Sequence, residues 1–176
     1  MLDYRFASPA DAAAIVALVE SAYRGLDSLG GWTTEAHLIG GQRTDQQMIT
    51  SLLADDGAYV LLAEEAGELQ ACCELREPRR AGAPAYFGMF AVRPTLQRGG
   101  YGRMVLAEAE RIAREKFGAG ALEMTVIKQR DSLIAWYERL GYELTGERRP
   151  FPYGDDRYGS PKVDDLEFAT LEKRLA

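Results

Sequence analysis

One stretch narrows the choice of folds more than any other: Val92-Arg93-Pro94-Thr95-Leu96-Gln97-Arg98-Gly99-Gly100-Tyr101-Gly102-Arg103-Met104. It joins an apolar and aromatic run, Tyr86 to Arg93, to a segment in which Val105, Leu106, Ala109, Ile112 and Ala113 recur at helical spacing. The run reads as a strand ended by Pro94, and the helix is expected from about Gly102 to Phe117. A second apolar run, Ala121 to Ile127, follows the helix. A strand-helix-strand unit of this kind implies a right-handed crossover between parallel strands, and so a mixed α/β sheet.

The rest of the chain fits around that unit. Leu2 to Ala7 alternates apolar and polar residues at strand period, and Ser8, Pro9 and Asp11 form a capping box for a helix reaching about Tyr23. Ile15, Leu18, Val19 and Ala22 mark its buried side. Arg24 to Arg43 is glycine-rich around Trp32 and is expected to lack regular structure, as a binding loop would. Thr44 with Gln47 gives a second capping box, ahead of Met48, Ile49, Leu52 and Leu53. Ala58–Glu64 and Leu69–Arg76, joined by Glu65-Ala66-Gly67-Glu68, read as a hairpin. Asp131 is the expected cap of a helix that ends at Leu140 with Gly141 in the C-cap position. Tyr142–Arg149 and Asp165–Lys173 are two further strands, separated by a segment rich in glycine, proline and aromatics.

A chain of 176 residues with 47% hydrophobic content suits one domain spanning residues 1–176, with no repeat and no apolar run long enough for a bilayer. Its net charge of −6 argues against nucleic-acid partners, which need a basic face. No basic stretch leads into an apolar core near the N-terminus, so a cytoplasmic location, without membrane partners, is expected. Cys72 and Cys73 are neighbours on an extended segment and point to opposite faces, which leaves no disulfide framework. With one histidine, His37, no zinc ligand set exists and no metal is expected.

The turn at Gln97–Arg103 carries the chemistry. A strand entering a helix through Gly99, Gly100 and Gly102 converges unpaired backbone N–H groups at the positive end of the helix dipole, a cradle for an anion, and Arg98 and Arg103 add positive charge. The triphosphate-binding string G-x-x-x-x-G-K-[ST] is absent. Gly100 and Gly102 fit the dinucleotide fingerprint G-x-G-x-x-G, but Val105 occupies its third position.

Gln97-Arg98-Gly99-Gly100-Tyr101-Gly102 resembles the Q/R-x-x-G-x-G/A acetyl-CoA motif of the GNAT N-acetyltransferase superfamily. Ala135-Trp136-Tyr137-Glu138-Arg139-Leu140-Gly141-Tyr142 resembles that family's "fYeklGf" segment, with one helix and one strand between the two motifs. The resemblance implies a GNAT-like α/β (α+β) fold: a mixed, mostly antiparallel sheet whose one central parallel pair is splayed at the cofactor site, with helices on both faces. It implies acetyl-CoA as co-substrate and a small-molecule or peptide amine as acceptor. A homodimer is compatible with it.

Carried onto this chain, it implies that main chain at Phe90, Ala91 and Val92 pairs with the pantetheine arm. Gln97, Arg98, Gly99, Gly100, Tyr101, Gly102 and Arg103 hold the pyrophosphate. Arg130 stands where the family often has an asparagine that contacts the cofactor. Tyr137 is placed beside the thioester sulfur as general acid; a core aromatic beside Trp136 is its other reading. Where ribosomal-protein acetyltransferases often carry a glutamate base, this chain has Thr125, so Glu123, on the same side of the strand, is the candidate base, with Glu74 behind it. Trp32, Glu35, Gln42 and Arg43, and the segment Arg148–Tyr158, are the candidate acceptor walls. Glu35, Asp155 and Asp156 suit a cationic amine, whereas Arg43, Arg148, Arg149 and Arg157 suit a carboxylate-bearing one. A non-catalytic acetyl-CoA-binding module is the alternative to an enzyme.

Overall fold

The computed structural model describes residues Met1–Ala176. Its elements are β1 (Asp3–Phe6), α1 (Ala12–Tyr23), α2 (Gly25–Ser28), β2 (Ile39–Gly40), α3 (Gln46–Leu53), β3 (Ala58–Glu65), β4 (Glu68–Arg76), β5 (Ala85–Val92), α4 (Tyr101–Glu115), β6 (Ala121–Ile127), α5 (Asp131–Arg139), β7 (Glu143–Pro150), β8 (Ser160–Pro161) and β9 (Glu167–Arg174). Seven strands form one sheet in the order β1-β3-β4-β5-β6-β9-β7, and β2 pairs with β8 in a separate two-stranded sheet. Every pair in the large sheet is antiparallel except β5–β6. No helix is long and apolar enough to cross a membrane.

Helices cover both faces. On one, Ile15, Val19 and Ala22 of α1 and Ile49 of α3 pack on Val60, Leu62, Cys72 and Ala91. On the other, Val105, Leu106, Ala109, Ile112 and Ala113 of α4 pack with Leu61, Cys73, Leu75 and Phe87. Successive strand residues face opposite ways, so Cys72 and Cys73 are buried in different clusters, both as free thiols.

Several helix starts differ from the sequence expectation. The Ser8 amide and hydroxyl donate to the Asp11 carboxylate at 2.7 and 2.9 Å, but the turn they close, Pro9–Asp11, is a 3-10 turn, and α1 begins after it. The cap of α3 is Asp45, not Thr44: its carboxylate accepts from the Met48 amide at 2.8 Å. An ionised carboxylate is the stronger acceptor at a positive helix end, and the Thr44 amide is bound to Glu20 instead. Asp131 is the first residue of α5, after Arg130 in the capping position. The Arg24–Arg43 stretch, expected to be irregular, contains α2 and β2.

The sheet opens between β5 and β6. Their parallel pairing consists of Ala85 with Leu122 and Tyr86 with Glu123. Beyond it the strands part, although β5 continues to Val92 and β6 to Ile127. Here β5 also bulges against β4: Glu74 faces Gly88 and Cys72 faces Ala91, one extra residue on β5, with Met89 at φ +44°. A bulge bends and twists its strand, which turns β5 away from β6.

Candidate active site

After β5, the chain makes a 3-10 turn at Pro94–Leu96 and enters α4 through two left-handed residues, Arg98 at φ +74° and Gly100 at φ +86°. The Gly99 amide bonds to Leu96 and the Met104 amide to Gly100, but the amides of Gly100, Tyr101, Gly102 and Arg103 have no acceptor within the protein. Four free donors at a helix N-terminus form a positive concavity. Arg98 and Arg103 stand beside it, exposed and without ion-pair partners. Gly100 belongs there because its φ disfavours any side chain, and a Cβ built on it meets nothing within 4 Å.

Two side chains of this turn are engaged elsewhere. Gln97 accepts from the amides of Trp32 and Thr33 at 2.8 and 3.2 Å and donates to the Thr33 hydroxyl and the Val92 carbonyl at 2.7 and 3.0 Å. It ties the loop after α2 to the end of β5. The Tyr101 hydroxyl donates to Glu65 at 2.8 Å.

The parting of β5 and β6 opens into a cavity of about 1110 Å³. Tyr137 of α5 lines it; the residue is only 4% exposed, yet its hydroxyl opens on the cavity and has no hydrogen-bond partner. Burial raises its pKa well above the usual value of 10.0, so the phenol stays protonated at neutral pH. Its ring packs edge to face against Trp136 at 4.9 Å and Tyr142 at 5.7 Å. Across the cavity the Tyr23 hydroxyl donates to the Phe90 carbonyl, and burial pushes that phenol up to about 12. The Tyr86 and Thr125 hydroxyls meet at 3.3 Å.

The carboxylates fall into three groups. Glu123 is held by Arg149 at 2.8 Å and does not line the cavity, whereas Glu74 does, bonded to Arg76. Glu35 lines it too, clamping Arg24 at 2.7 Å and Arg130 at 3.1 Å in a buried triad. The arginines offset its desolvation and hold it below the usual carboxylate range.

Of the remaining candidates, Phe90, Arg43 and Arg130 line the cavity and Trp32, Gln42, Ala91 and Val92 do not. Trp32 packs edge-on against Trp136 at 6.1 Å, and Gln42 bonds Asp45 at 3.0 Å. Arg149, Phe151, Arg157 and Tyr158 bring the segment before β8 to the wall. Sequence reasoning missed Tyr23, Arg24 and Tyr86 as lining residues. Tyr23 continues the buried stripe of α1, and that periodicity was its only signal.

The sequence matches the Acetyltransferase (GNAT) family over residues 19–142. The chain belongs to the GNAT family of acetyltransferases. Among solved structures this GNAT chain is similar to yncA of Salmonella typhimurium, described with its cofactor acetyl-CoA, at 21% identity and TM-score 0.70, covering 100% of this chain and 95% of that one. It is similar to the ribosomal-protein-alanine N-acetyltransferase of Brucella melitensis at 23% identity and TM-score 0.69, over 98% and 99% of the two chains. The ribosomal-protein-S18-alanine N-acetyltransferase of Escherichia coli has the same fold at 17% identity and TM-score 0.71, over 100% and 95%. No curated protein matches the sequence. The mixed sheet with one parallel pair is the architecture these GNAT structures share with it.

Proposed function

We propose that this chain transfers acetyl from acetyl-CoA to a primary amine, with Tyr137 as the proton donor to the leaving sulfur. The observation that carries the reading is the free Tyr137 hydroxyl, protonated and open on the cavity where β5 and β6 part. The donor set suits the co-substrate: four unbonded amides and two unpaired arginines at the entrance to α4 match a diphosphate. Beside them, β5 exposes the edge that β6 has left. Bound acetyl-CoA supplies an activated acetyl carbon, where a C–N bond forms as the C–S bond breaks, the amine giving up one proton and the sulfur gaining one.

The chain supplies the rest. The amides of Gly100–Arg103 grip the diphosphate, and β5 main chain at Phe90–Val92 aligns the pantetheine arm. The acceptor must be neutral, and taking a proton from an amine of pKa about 10.4 at pH 7 costs roughly 4.6 kcal/mol, so a nearby proton acceptor helps. Glu74 stands on the cavity wall and takes this role, directly or through water, in preference to Glu123, which pairs with Arg149 and does not line the cavity.

Thiol release from acetyl-CoA across an amine panel tests the assignment. Release that depends on the amine and collapses in Tyr137→Phe supports it. Tight acetyl-CoA binding with no release on any amine overturns it.

A further inference from the structure

We propose that the acceptor amine also carries a carboxylate, received by the Arg43 guanidinium at the cavity wall; this rests on the acetyl-transfer reading and specifies its substrate class. The chain as a whole bears a net charge of −6, yet its cavity is lined by six arginines and no lysine against four carboxylates. Glu123 and Asp155, just outside the lining, pair with two of those arginines, so what matters is which cation is left without a partner.

The partnering of those groups singles out one cation. Arg76 is paired with Glu74 and Asp55, Arg149 with Glu123, and Arg157 with Asp155. Arg24 and Arg130 share the single carboxylate of Glu35. Arg43 makes no ion pair and its side chain donates no hydrogen bond, although it lines the cavity, and it meets the buried Glu35 only through its longer-range charge. Asp45 does not serve it, being occupied by the Met48 amide and the Gln42 side chain.

Arg43 is nevertheless held in place. Its amide and that of Thr44 both donate to one Glu20 oxygen at 2.7 Å, and its guanidinium lies 5.7 Å from the centroid of the Tyr23 ring. The Tyr23 hydroxyl in turn binds the carbonyl of Phe90, at the edge of the opening. The free cation thus sits one side chain away from the strand that aligns the thioester. Preorganised placement lowers the ordering cost of binding.

The buried triad adds to the bias. Two guanidiniums against one carboxylate leave a surplus positive charge among side chains 4%, 5% and 9% exposed, and Arg24 Nε is buried without an acceptor. A buried surplus of one sign is relieved by a counter-ion and aggravated by a like charge. An acceptor whose second group is an ammonium meets repulsion here; one whose second group is a carboxylate meets a planar guanidinium that can bind it through two parallel hydrogen bonds. A free amino acid has both required groups.

Matched pairs test this: the protein amino acids against the amines they become without the carboxylate, such as L-phenylalanine and phenethylamine, L-leucine and isopentylamine, L-tryptophan and tryptamine. The carboxylate member of the preferred pair is expected to exceed its partner in kcat/KM by about 10- to 100-fold. Arg43→Gln should erase that ratio mainly through KM, and Arg43→Lys should restore part of it. Calorimetric titration of the same pairs, without acetyl-CoA, reads the anion site independently of turnover, with carboxylate binding lost in Arg43→Gln. Thiol release that ignores the carboxylate, or a preference that survives Arg43→Gln, overturns the carboxylate proposal and leaves acetyl transfer standing. Arg43-dependent binding without thiol release on any amine supports the anion site and overturns acetyl transfer. Preference for spermidine over every amino acid also overturns the anion site.

Discussion

The Tyr142 amide donates to the Tyr137 carbonyl at 3.1 Å, and the two rings meet edge to face at 5.7 Å. The Gly141 amide bonds the Glu138 carbonyl at 3.0 Å, and Gly141 itself lies at φ +91°. This pair of bonds around a left-handed glycine is the Schellman closure of a helix. The Tyr142 hydroxyl reaches Glu110 of α4 at 3.0 Å, and Lys173 of β9 holds the same carboxylate at 2.9 Å. The turn that ends α5 therefore also fixes the residue assigned as acid, bracing it against a helix and a strand.

Gly141→Ala tests that brace. A Cβ at this φ costs about 1–2 kcal/mol, although its nearest neighbour would be the flexible Lys173 side chain at an ordinary 3.5 Å. For a chain of this size each kcal/mol lowers Tm by roughly 2–4 °C. Thermal melting should show that drop, and kcat should fall while acetyl-CoA affinity holds. Unchanged kcat in a destabilised variant would separate the turn from catalysis.

Tyr137→Phe removes the proposed proton donor and leaves the ring packing. General-acid contributions of this kind are worth about 10²–10⁴-fold, so kcat should fall by that factor while calorimetry finds acetyl-CoA binding intact. Because burial raises the phenol's pKa, ionisation of Tyr137 does not remove the acid form below pH 10. The wild-type kcat profile should show no alkaline loss from this group until above that value.

Stability at high pH follows from the same buried phenols. The folded pKa of Tyr23 is about 12, and those of Tyr137 and Tyr142 are also raised, each chiefly by burial. Folding thus favours the protonated forms: their contribution is complete below the unfolded value near 10 and is lost as pH climbs through the folded values. Urea midpoints should be insensitive to these groups below about pH 10 and fall above it. Tyr23→Phe should flatten part of that fall.

What the sequence disclosed is what local pattern controls. The β3–β4 hairpin was legible because apolar runs flank a turn at Ala66 and Gly67, both left-handed in the structure. The entrance to α4 was legible because its glycines are consecutive with the helix they open. Long-range pairings were not. Ile39 and Gly40 meet Pro161 and Ser160 through strands of two residues each, too short to show any period. Glu35 finds Arg130 across 95 residues. The bulge at Met89 has no glycine or proline at the left-handed residue to mark it. Thr44 with Gln47 imitated a capping box, and the carboxylate one residue later prevailed.

Gln97→Ala should loosen the acceptor side from the cofactor side. It leaves the Trp32 and Thr33 amides without their acceptor, a cost of about 1–3 kcal/mol where such groups are buried. Hydrogen exchange at those two amides should quicken, and the acceptor KM should rise more than the acetyl-CoA Kd. Gly31→Ala should act in the same direction, because its Cβ would stand 2.6 Å from the Gln97 side-chain oxygen. Unaltered exchange in both variants would remove Gln97 as the tie.

Gly100→Val should abolish most acetyl-CoA binding, but two causes must be told apart. The left-handed φ of +86° penalises any residue with a Cβ, by about 1–3 kcal/mol. The new side chain would also enter open space at the mouth of the cradle, since nothing in the protein lies within 4 Å of a Cβ there. Gly100→Asn separates them, since asparagine tolerates the left-handed region while still placing a side chain there. If calorimetry finds binding lost in both variants while Gly100→Asn melts like the parent, the cradle is blocked. If Gly100→Asn binds normally, backbone strain alone explains the valine variant, and the four amides are not where the diphosphate rests.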